Sequence, residues 1–419
     1  MLERLTLTNV GPAESLDLEL GPRLNVVTGD NGLGKTFLLD CAWYALTSQW
    51  AGMHALPLRR DSDATIGAAW TSSAGTVRAS NRHFLRRVDR WQPFESLRTP
   101  DLSRWLAIYL TVDDTFIRFD PALRDNQRDL SVAQLSSAQV FDGDGGNGHK
   151  PYCNGLIEDW TVWRYQDVER FKALVAAMAA LSPDASERLE PGNESVRVTL
   201  DDVRKIPTLR FPWGEVPITL LSAGMRRILS LAYVLVWTWH EHLQAVKLTG
   251  HPVAERMIVL IDEVESHLHP RWQRRILPAV VNTISGLADQ LDVQVICSSH
   301  SPMVLASMEP TFDPARDRLF HLDASGNGTG ASVRQVPFAK FGDAVGWLTS
   351  PVFGLEQARS AEAEEAIEAA EAFMRNDLAA LPDGLRTKDE IHAELQRVLG
   401  ELDEFWLRWV VTAPPVRKP

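Results

Sequence analysis

A glycine-rich loop near the start of the chain constrains the fold more than any other feature. Residues 29–36 read GDNGLGKT, which satisfies the pattern GxxxxGK followed by Ser or Thr. Glycines let the backbone curl around phosphate groups with its N–H groups pointing inward. Lys35 can then reach the β- and γ-phosphates, and Thr36 can ligate Mg²⁺. The sequence therefore predicts a binding loop for ATP and Mg²⁺, formed by Gly29, Asp30, Asn31, Gly32, Leu33, Gly34, Lys35 and Thr36.

The residues on either side of this loop support the prediction. The apolar residues 23–28 are typical of a buried strand, and residues 37–48 have the spacing of a helix. A phosphate-binding loop needs this context, because the helix after it presents its positive N-terminal end to the anion.

A second apolar stretch ends in two carboxylates. Five of the six residues 256–261 are apolar and predict a buried strand, which Asp262 and Glu263 follow directly. A central parallel strand would carry Asp262 to the carboxyl edge of the sheet, where it can hold Mg²⁺ or its water. Glu263 would then orient and deprotonate the attacking water, so we predict that it is the catalytic base. The alternative is a strand end with two solvated acids.

The segment LSAGMRR at residues 221–227 opens a strongly apolar helix, predicted for residues 223–243. Ser222 occupies the N-cap position, and Gly224 allows the close approach of a ligand. A helix N-terminus with a serine hydroxyl is a good anion site, although such a segment by itself also fits an ordinary capped helix. Its place between the glycine-rich loop and Asp262 favours the anion site.

Histidines follow two of the predicted strands closely in sequence. His300 follows a strand predicted for residues 293–298, and a neutral imidazole there would sense the γ-phosphate or position water, so we predict a catalytic role. The alternative is a polar strand cap. A metal site formed by His267, His269 and Glu265 is one alternative, but the spacing of the two histidines on a loop is poor for chelation. A structural or dimer-contact role is favoured for them.

In their order and spacing, these motifs resemble the ATPase heads of the RecF, SMC and OLD group of ABC-type ATPases. That group has a Walker A loop, an LSxG signature, a Walker B strand ending in Asp-Glu, and a switch histidine. Residues 264–270, VESHLHP, are similar to the D-loop of the group, and residues 298–302, SSHSP, to its switch. The signature LSAGMRR departs from the transporter form LSGGQ and looks like the OLD form.

The resemblance implies two heads that face each other head to tail, in a homodimer or a higher homo-oligomer. ATP held by one subunit would meet the signature of the other, so that ATP bridges the interface and hydrolysis loosens it. Thr36 and Asp262 would hold Mg²⁺. The signature residues acting in trans would be Leu221, Ser222, Ala223, Gly224 and Arg226. The glutamine that members of the fold use near Mg²⁺ stays open between Gln134, Gln139 and Gln166.

The implied fold class is α/β. We expect an ABC-ATPase-like P-loop head, with a mixed or antiparallel N-terminal lobe and a parallel core sheet flanked by helices. A helical insertion and a helical C-terminal tail complete it. The expected domains are a first ATPase lobe, an inserted partly helical subdomain, a second ATPase lobe and an acidic helical region, at residues 1–125, 126–220, 221–350 and 351–419. Helical spacing also extends over residues 160–182, 271–287 and 388–411.

The chain lacks two features of the group. No sustained heptads follow the Walker A loop, as they do in SMC proteins, and residues 311–419 contain no DxD motif like that of the Toprim nuclease domain in OLD proteins. The resemblance then implies a stand-alone ATPase that regulates a separate effector, such as an HNH nuclease, in bacterial antiphage defence. The alternatives are a RecF- or SMC-like DNA-repair ATPase that clamps DNA, and a nucleotide-binding scaffold without turnover. Glu263 argues against the scaffold.

The net charge of −12 gives no support to a nucleic-acid partner, which usually meets a basic face. A local cluster of arginines more often forms a solvated surface; here it comprises Arg59, Arg60, Arg82, Arg86, Arg87 and Arg90. The three cysteines are far apart and predict neither a zinc site nor a disulfide. No apolar run reaches the roughly 18 residues that span a bilayer, and no signal peptide is evident, so we expect a cytoplasmic protein without a membrane partner.

Overall fold

The computed structural model describes residues 1–71, 76–92, 104–124, 131–145, 151–184, 187–324 and 330–412. It divides into two compact units, Met1–Ala344 and Val345–Pro419. The predicted boundary between residues 125 and 126 lies outside the described residues, and the four-domain division stays a prediction.

The strands are β1 (Leu2–Val10), β2 (Ala13–Glu19), β3 (Leu24–Gly29), β4 (Thr65–Thr71), β5 (Val77–Leu85), β6 (Arg90–Trp91), β7 (Trp105–Leu110), β8 (Phe116–Phe119), β9 (Val132–Leu135), β10 (Glu190–Val196), β11 (Ile206–Phe211), β12 (Gly214–Pro217), β13 (Arg256–Ile261), β14 (Asp292–Ser298), β15 (Asp317–Ala324) and β16 (Ala331–Val336).

The helices are α1 (Lys35–Thr47), α2 (Ser137–Asp142), α3 (Leu156–Gln166), α4 (Val168–Leu181), α5 (Ala223–Thr249), α6 (Pro270–Gln273), α7 (Ile276–Ser285), α8 (Pro302–Met308), α9 (Ala344–Leu348), α10 (Ala361–Met374), α11 (Lys388–Val398) and α12 (Phe405–Thr412).

The main sheet of the first unit has eight strands in the order β16-β15-β3-β14-β13-β7-β8-β9. Its five central strands, from β15 to β7, run parallel, and the flanking strands are antiparallel. The central strands β3 and β7 are buried along their whole length, as expected for parallel strands that are covered on both faces. The register aligns Ile261 with both Leu110 and Cys297, so that neighbouring strands end together.

An antiparallel sheet in the order β2-β1-β4-β5-β6 forms the N-terminal lobe. Helix α1 shares one hydrophobic core with this sheet and the main sheet, through side chains such as Leu38 and Trp43. A third sheet joins β10, β11 and β12. The α/β fold class, with an antiparallel N-terminal lobe and a parallel core, is confirmed.

Three predicted helices are wrong in their continuity, since each is two helices. The stretch at 160–182 breaks at Asp167, whose side chain caps α4 by accepting from the N–H of Arg170 at 3.3 Å. The stretch at 271–287 breaks at Arg275, which has a non-helical φ of −134° and donates to the carbonyl of Pro183 at 2.5 Å. In both cases the residue directly before the second helix has a non-helical backbone, and its side chain makes a hydrogen bond at the break.

The second unit is helical, with a core formed by α10, α11 and α12. The helix predicted for residues 388–411 is interrupted after α11, and Asp403 accepts from the N–H of Phe405 at 2.9 Å to start α12. Phe405 and Trp409 are buried in this core. The three cysteines are free and buried.

Candidate active site

Three parallel strands of the main sheet deliver the predicted site residues to one edge. The glycine-rich loop follows β3, Asp262 and Glu263 follow β13, and residues 298–300 close β14. These three strands are hydrogen-bonded neighbours in the order β3-β14-β13, so their carboxyl ends lie side by side. The carboxyl edge of such a sheet is where ligands bind in α/β proteins.

Gly29, Gly32 and Gly34 of the glycine-rich loop all have positive φ. Gly29 has a φ of 138°, and a Cβ there would lie 2.3 Å from the carbonyl oxygen of Leu322. Gly34, with a φ of 94°, is the N-cap of α1. Lys35 is buried, and its ammonium group donates to the carbonyl oxygens of Gly29 at 2.8 Å and Asp30 at 2.7 Å. The loop thus folds around the cation that is predicted to bind phosphate.

The environment of Lys35 contains opposing influences on its charge. Burial lowers the pKa of the ammonium group, while the nearby carboxylates of Glu263 and Asp262 act to raise it. Asp262 and Glu263 are therefore close enough to Lys35 to interact electrostatically. A bound phosphate would add to the negative charge around this cation.

Each carboxylate oxygen of Asp262 accepts a hydrogen bond from a hydroxyl group. Thr36 donates from Oγ1 to Asp262 Oδ2 at 2.7 Å, and Ser298 donates from Oγ to Asp262 Oδ1 at 2.6 Å. This carboxylate is 1% exposed. A hydroxyl and a carboxylate oxygen at this distance are the hard oxygen donors that Mg²⁺ prefers, so the two predicted metal ligands fit that ion.

Glu263, directly after Asp262, has a strained backbone conformation. Its φ is +44°, which costs of the order of 1–3 kcal/mol for a residue with a side chain. Its N–H donates to Ser298 Oγ at 2.7 Å, and its side chain is only partly buried. The sequence gives no sign that Ser298 holds both Asp262 and Glu263, because a serine at a strand end has many uses.

His300 lies at the same carboxyl edge of the sheet, directly after Ser298 and Ser299, and its main-chain N–H makes its contact there. Its N–H donates to the Glu265 side chain, and burial raises the pKa of that carboxyl. His269 caps α6 by accepting from the N–H of Arg271 at 3.3 Å, and His267 is exposed with a φ of +62°. Glu265 therefore serves the histidine switch segment.

The signature residues lie away from the glycine-rich loop, at the start of α5. Ser222 accepts from the N–H of Met225 at 3.4 Å as the N-cap, and the Leu221 side chain is buried. Ala223 and Arg226 are exposed. An open cleft of about 560 Å³ is lined by Ser222, Ala223, Gly224, His267 and His269, among others, and by no residue of the glycine-rich loop.

Gly224 is needed for a contact within the chain that the sequence did not predict. A Cβ there would lie 2.5 Å from the carbonyl oxygen of His267, so the start of α5 rests directly on the loop after Glu263. The close approach expected for a ligand is made by the chain's own backbone.

Gly224→Ala should therefore lower the free energy of unfolding by about 1–3 kcal/mol, the usual cost of overpacking a rigid contact. Urea denaturation of both proteins measures this difference. Gly52→Ala is the matched control, because a Cβ at Gly52 meets no atom within 4 Å. Equal losses in the two variants would contradict the contact.

Asp40, one turn after Thr36 on α1, was not recognised from the sequence. Tyr109 donates to its Oδ1 at 3.1 Å. Burial, together with the negative charge of Asp262, raises the pKa of Asp40 to about 6. The site therefore has a second carboxyl beside Asp262, and the folded state favours its protonated form.

The raised pKa predicts a stability that depends on pH. Below the unfolded-state pKa, near 4, Asp40 is protonated in both states and has no effect. Between about pH 4 and pH 6 the folded state keeps a proton that the unfolded chain has released, so stability falls as the pH rises and reaches its lower level above about 6. Asp40→Asn should raise the free energy of unfolding by about 1–2 kcal/mol at pH 7.5 and by much less at pH 4.5. Urea denaturation at both pH values tests this, with exposed Asp61→Asn as control.

The three candidate glutamines do not approach this edge by hydrogen bonding. The Gln139 side-chain oxygen accepts from the N–H of Ser136 at 2.9 Å in a capping box, and Gln134 and Gln166 are exposed. None of the three bonds to Thr36 or Asp262.

In the described part of the chain, no helix combines the length and apolar character needed to cross a bilayer.

Two family models match separate parts of the chain. Residues 4–62, which include the glycine-rich loop, match a model described as "AAA domain". Residues 154–306, which include the signature, Asp262 and His300, match one described as "AAA domain, putative AbiEii toxin, Type IV TA system".

Curated relatives match over very different lengths. The Septu protein PtuA of Bacillus thuringiensis is 21% identical over 88% of this chain and 87% of its own. The Retron Vc95 probable ATPase of Vibrio cholerae is 29% identical over 27% of this chain, a match that spans only 22% of that protein. The DNA replication and repair protein RecF of Actinobacillus pleuropneumoniae is 49% identical over 10% of this chain and 12% of its own.

Among solved structures, the SMC head domain from Thermotoga maritima covers 80% of this chain and 99% of its own, with a TM-score of 0.40 and 17% identity.

Proposed function

Because the chain carries AAA-type P-loop ATPase domains related to PtuA and to retron ATPases, we propose that it binds ATP with Mg²⁺ and hydrolyses it. The observation that carries this proposal is the carboxylate of Asp262. It accepts hydrogen bonds from Thr36 of the glycine-rich loop and from Ser298 of the switch segment. One buried acid therefore joins all three segments on which hydrolysis depends.

In the proposed reaction, Lys35 exchanges the carbonyl oxygens of Gly29 and Asp30 for the phosphates of ATP. Thr36 and Asp262 would hold Mg²⁺, which neutralises charge on the phosphates. Glu263 accepts a proton from the attacking water, since it is partly exposed next to Asp262. His300 orients that water or the γ-phosphate from the neighbouring strand end.

The signature residues act on ATP bound to a second copy of the chain. Support comes from the cleft at the start of α5, where the Ser222 hydroxyl and the N-terminus of a 27-residue helix face open space. A helix N-terminus attracts phosphate. ATP bridging two such copies favours the closed dimer, and hydrolysis removes the bridge.

The dimer regulates a separate effector protein in antiphage defence. The similarity to the Septu protein PtuA over most of both chains supports this role, as does the similarity to retron ATPases over shorter stretches. A nuclease, for example of the HNH type, is the effector we expect.

The test of the ATPase proposal is equilibrium binding of ATP to the purified chain, with and without Mg²⁺, together with phosphate release. Absence of binding would refute it. The effector proposal is tested separately, by co-purification of the chain with the product of the neighbouring gene, with and without ATP. Failure of that protein to bind in either state would remove the regulatory role and leave the ATPase in place.

One observation favours the alternative of a DNA clamp. Strand β5 is largely exposed and carries part of the arginine cluster, although Arg59 pairs with Glu14 and Arg86 lies 3.4 Å from Asp63. A clamp predicts DNA-stimulated hydrolysis and duplex binding that weakens steeply with salt. Hydrolysis that does not respond to duplex DNA, together with ATP-dependent binding of an effector, would favour the regulator.

A further inference from the structure

Arg227 is a buried cation in the second turn of the signature helix. Its side chain is 2% exposed and forms an ion pair with Asp114 in the loop between β7 and β8. The same guanidinium donates to the carbonyl oxygen of Asp262 at 3.1 Å and to that of Glu263 at 3.2 Å. One side chain therefore holds the main chain of both acidic residues.

The main chain at this point needs such support. Glu263 has a φ of +44°, and such strain persists only where the surroundings fix the residue. Ser298 fixes its N–H, at 2.7 Å, and Arg227 fixes its carbonyl oxygen. The peptide group on either side of the predicted base is thus held by a side chain, one from β14 and one from α5.

A purely stabilising role explains Arg227 less well. A buried ion pair often contributes little net stability compared with apolar side chains of similar volume, because both charges must lose their water. Here Nη2 of the cation donates to two consecutive carbonyl groups, those of Asp262 and of the predicted base itself. The geometry suits orientation of that peptide better than filling of the core.

We infer that Arg227 is a positioning residue, which couples the signature helix to the orientation of Glu263 in the same chain. This inference rests on the proposed function. Ser222 and Arg227 belong to one rigid helix, so a phosphate that engages the N-terminus of α5 acts on the same element that holds the Glu263 carbonyl. Binding of the second copy's ATP would then adjust the base of the first copy's site.

The first test is Arg227→Met, which keeps much of the side-chain volume and removes the charge. We expect kcat to fall about 100-fold, since small displacements of a catalytic group have effects of this size, while the Kd for ATP changes less than threefold. Arg227→Lys should recover part of the loss, because its ammonium group restores a charged donor at this position. Lys247→Ala, at the exposed far end of α5, is the control.

Asp114→Asn is the second variant, for the case that Arg227→Met does not fold. Asn is well suited to the φ of +59° at this position, so the loop is kept while the ion pair is lost. We expect a severalfold fall in kcat with the Kd for ATP unchanged. A kcat within twofold of the parent, or an ATP affinity that falls in parallel with kcat, would overturn the inference.

Amide hydrogen exchange separates this inference from the proposed function. The N–H groups of residues 262–264 should exchange faster in Arg227→Met and Asp114→Asn, while those of β14 stay protected, whether or not the chain hydrolyses ATP. Unchanged exchange at residues 262–264 would refute the positioning role. A parent protein that fails to bind ATP would instead refute the proposed function.

Discussion

Lys35→Ala is expected to abolish ATP binding. The ammonium group is buried in the glycine-rich loop and donates two hydrogen bonds to carbonyl oxygens of that loop. It is therefore held where the phosphates of ATP are predicted to bind. Charge-assisted hydrogen bonds contribute about 1.5–3 kcal/mol each, and Lys35 would reach two phosphate groups. A loss of about 3–4 kcal/mol corresponds to a Kd raised at least 100-fold.

The measurement is equilibrium binding of a fluorescent ATP analogue in the presence of Mg²⁺. The control is Lys172→Ala, since Lys172 is an exposed lysine that pairs with Glu169 on a helix far along the chain. Far-UV circular dichroism must show that Lys35→Ala keeps its secondary structure, because the substitution also frees the carbonyls of Gly29 and Asp30. A folded variant that binds ATP within threefold of the parent would contradict the role given to Lys35.

Much of the site was predictable because parallel strands place their ends together. Once residues 24–29 and 256–261 are strands of one parallel sheet, Thr36 and Asp262 are expected at the same carboxyl edge, where their side-chain oxygens lie 2.7 Å apart. The pattern of apolar residues is enough for this step. The contact itself also depends on the strand order, because only β14 separates β3 from β13.

The supporting residues were not predictable, because their partners are distant in sequence. Arg227 contacts Asp114, Asp262 and Glu263 from three separate elements, and nothing in its local sequence marks it as buried. Adjacent Arg226 is exposed, so a helix face rather than residue type decides between them. Asp40 likewise gains its raised pKa from burial and from the negative charge of Asp262, which only the fold brings near.

Helix continuity failed for a related reason. Local spacing predicts unbroken helices wherever apolar residues recur every three or four positions. Arg275 lies directly before a new helix and Asp403 two residues before one, and each makes a side-chain bond that a periodic pattern does not encode. The errors therefore fall at junctions, and the buried strands that position the site were assigned within one or two residues.

Glu263→Gln should slow hydrolysis while leaving ATP binding intact. The amide keeps the shape of the side chain and cannot accept a proton, and general base catalysis usually contributes about 10²–10⁴-fold to a rate. We expect kcat to fall by at least 100-fold, with the Kd for ATP within threefold of the parent. The main-chain bonds from Ser298 and Arg227 do not depend on the side chain, so the backbone at Glu263 should be retained.

The same variant tests whether ATP closes the dimer. A dimer that is opened only by hydrolysis should accumulate when hydrolysis is slow, since ATP then keeps favouring the state in which both copies contact it. Size-exclusion chromatography with light scattering, with and without ATP and Mg²⁺, measures the dimer fraction. Glu255→Gln is the matched control, because Glu255 is exposed and immediately precedes β13, at the opposite edge of the sheet.

Hydrolysis at the parent rate would exclude Glu263 as the base. Slow hydrolysis without a dimer would keep the base and exclude the bridging role of ATP, because the interface would then not depend on the nucleotide.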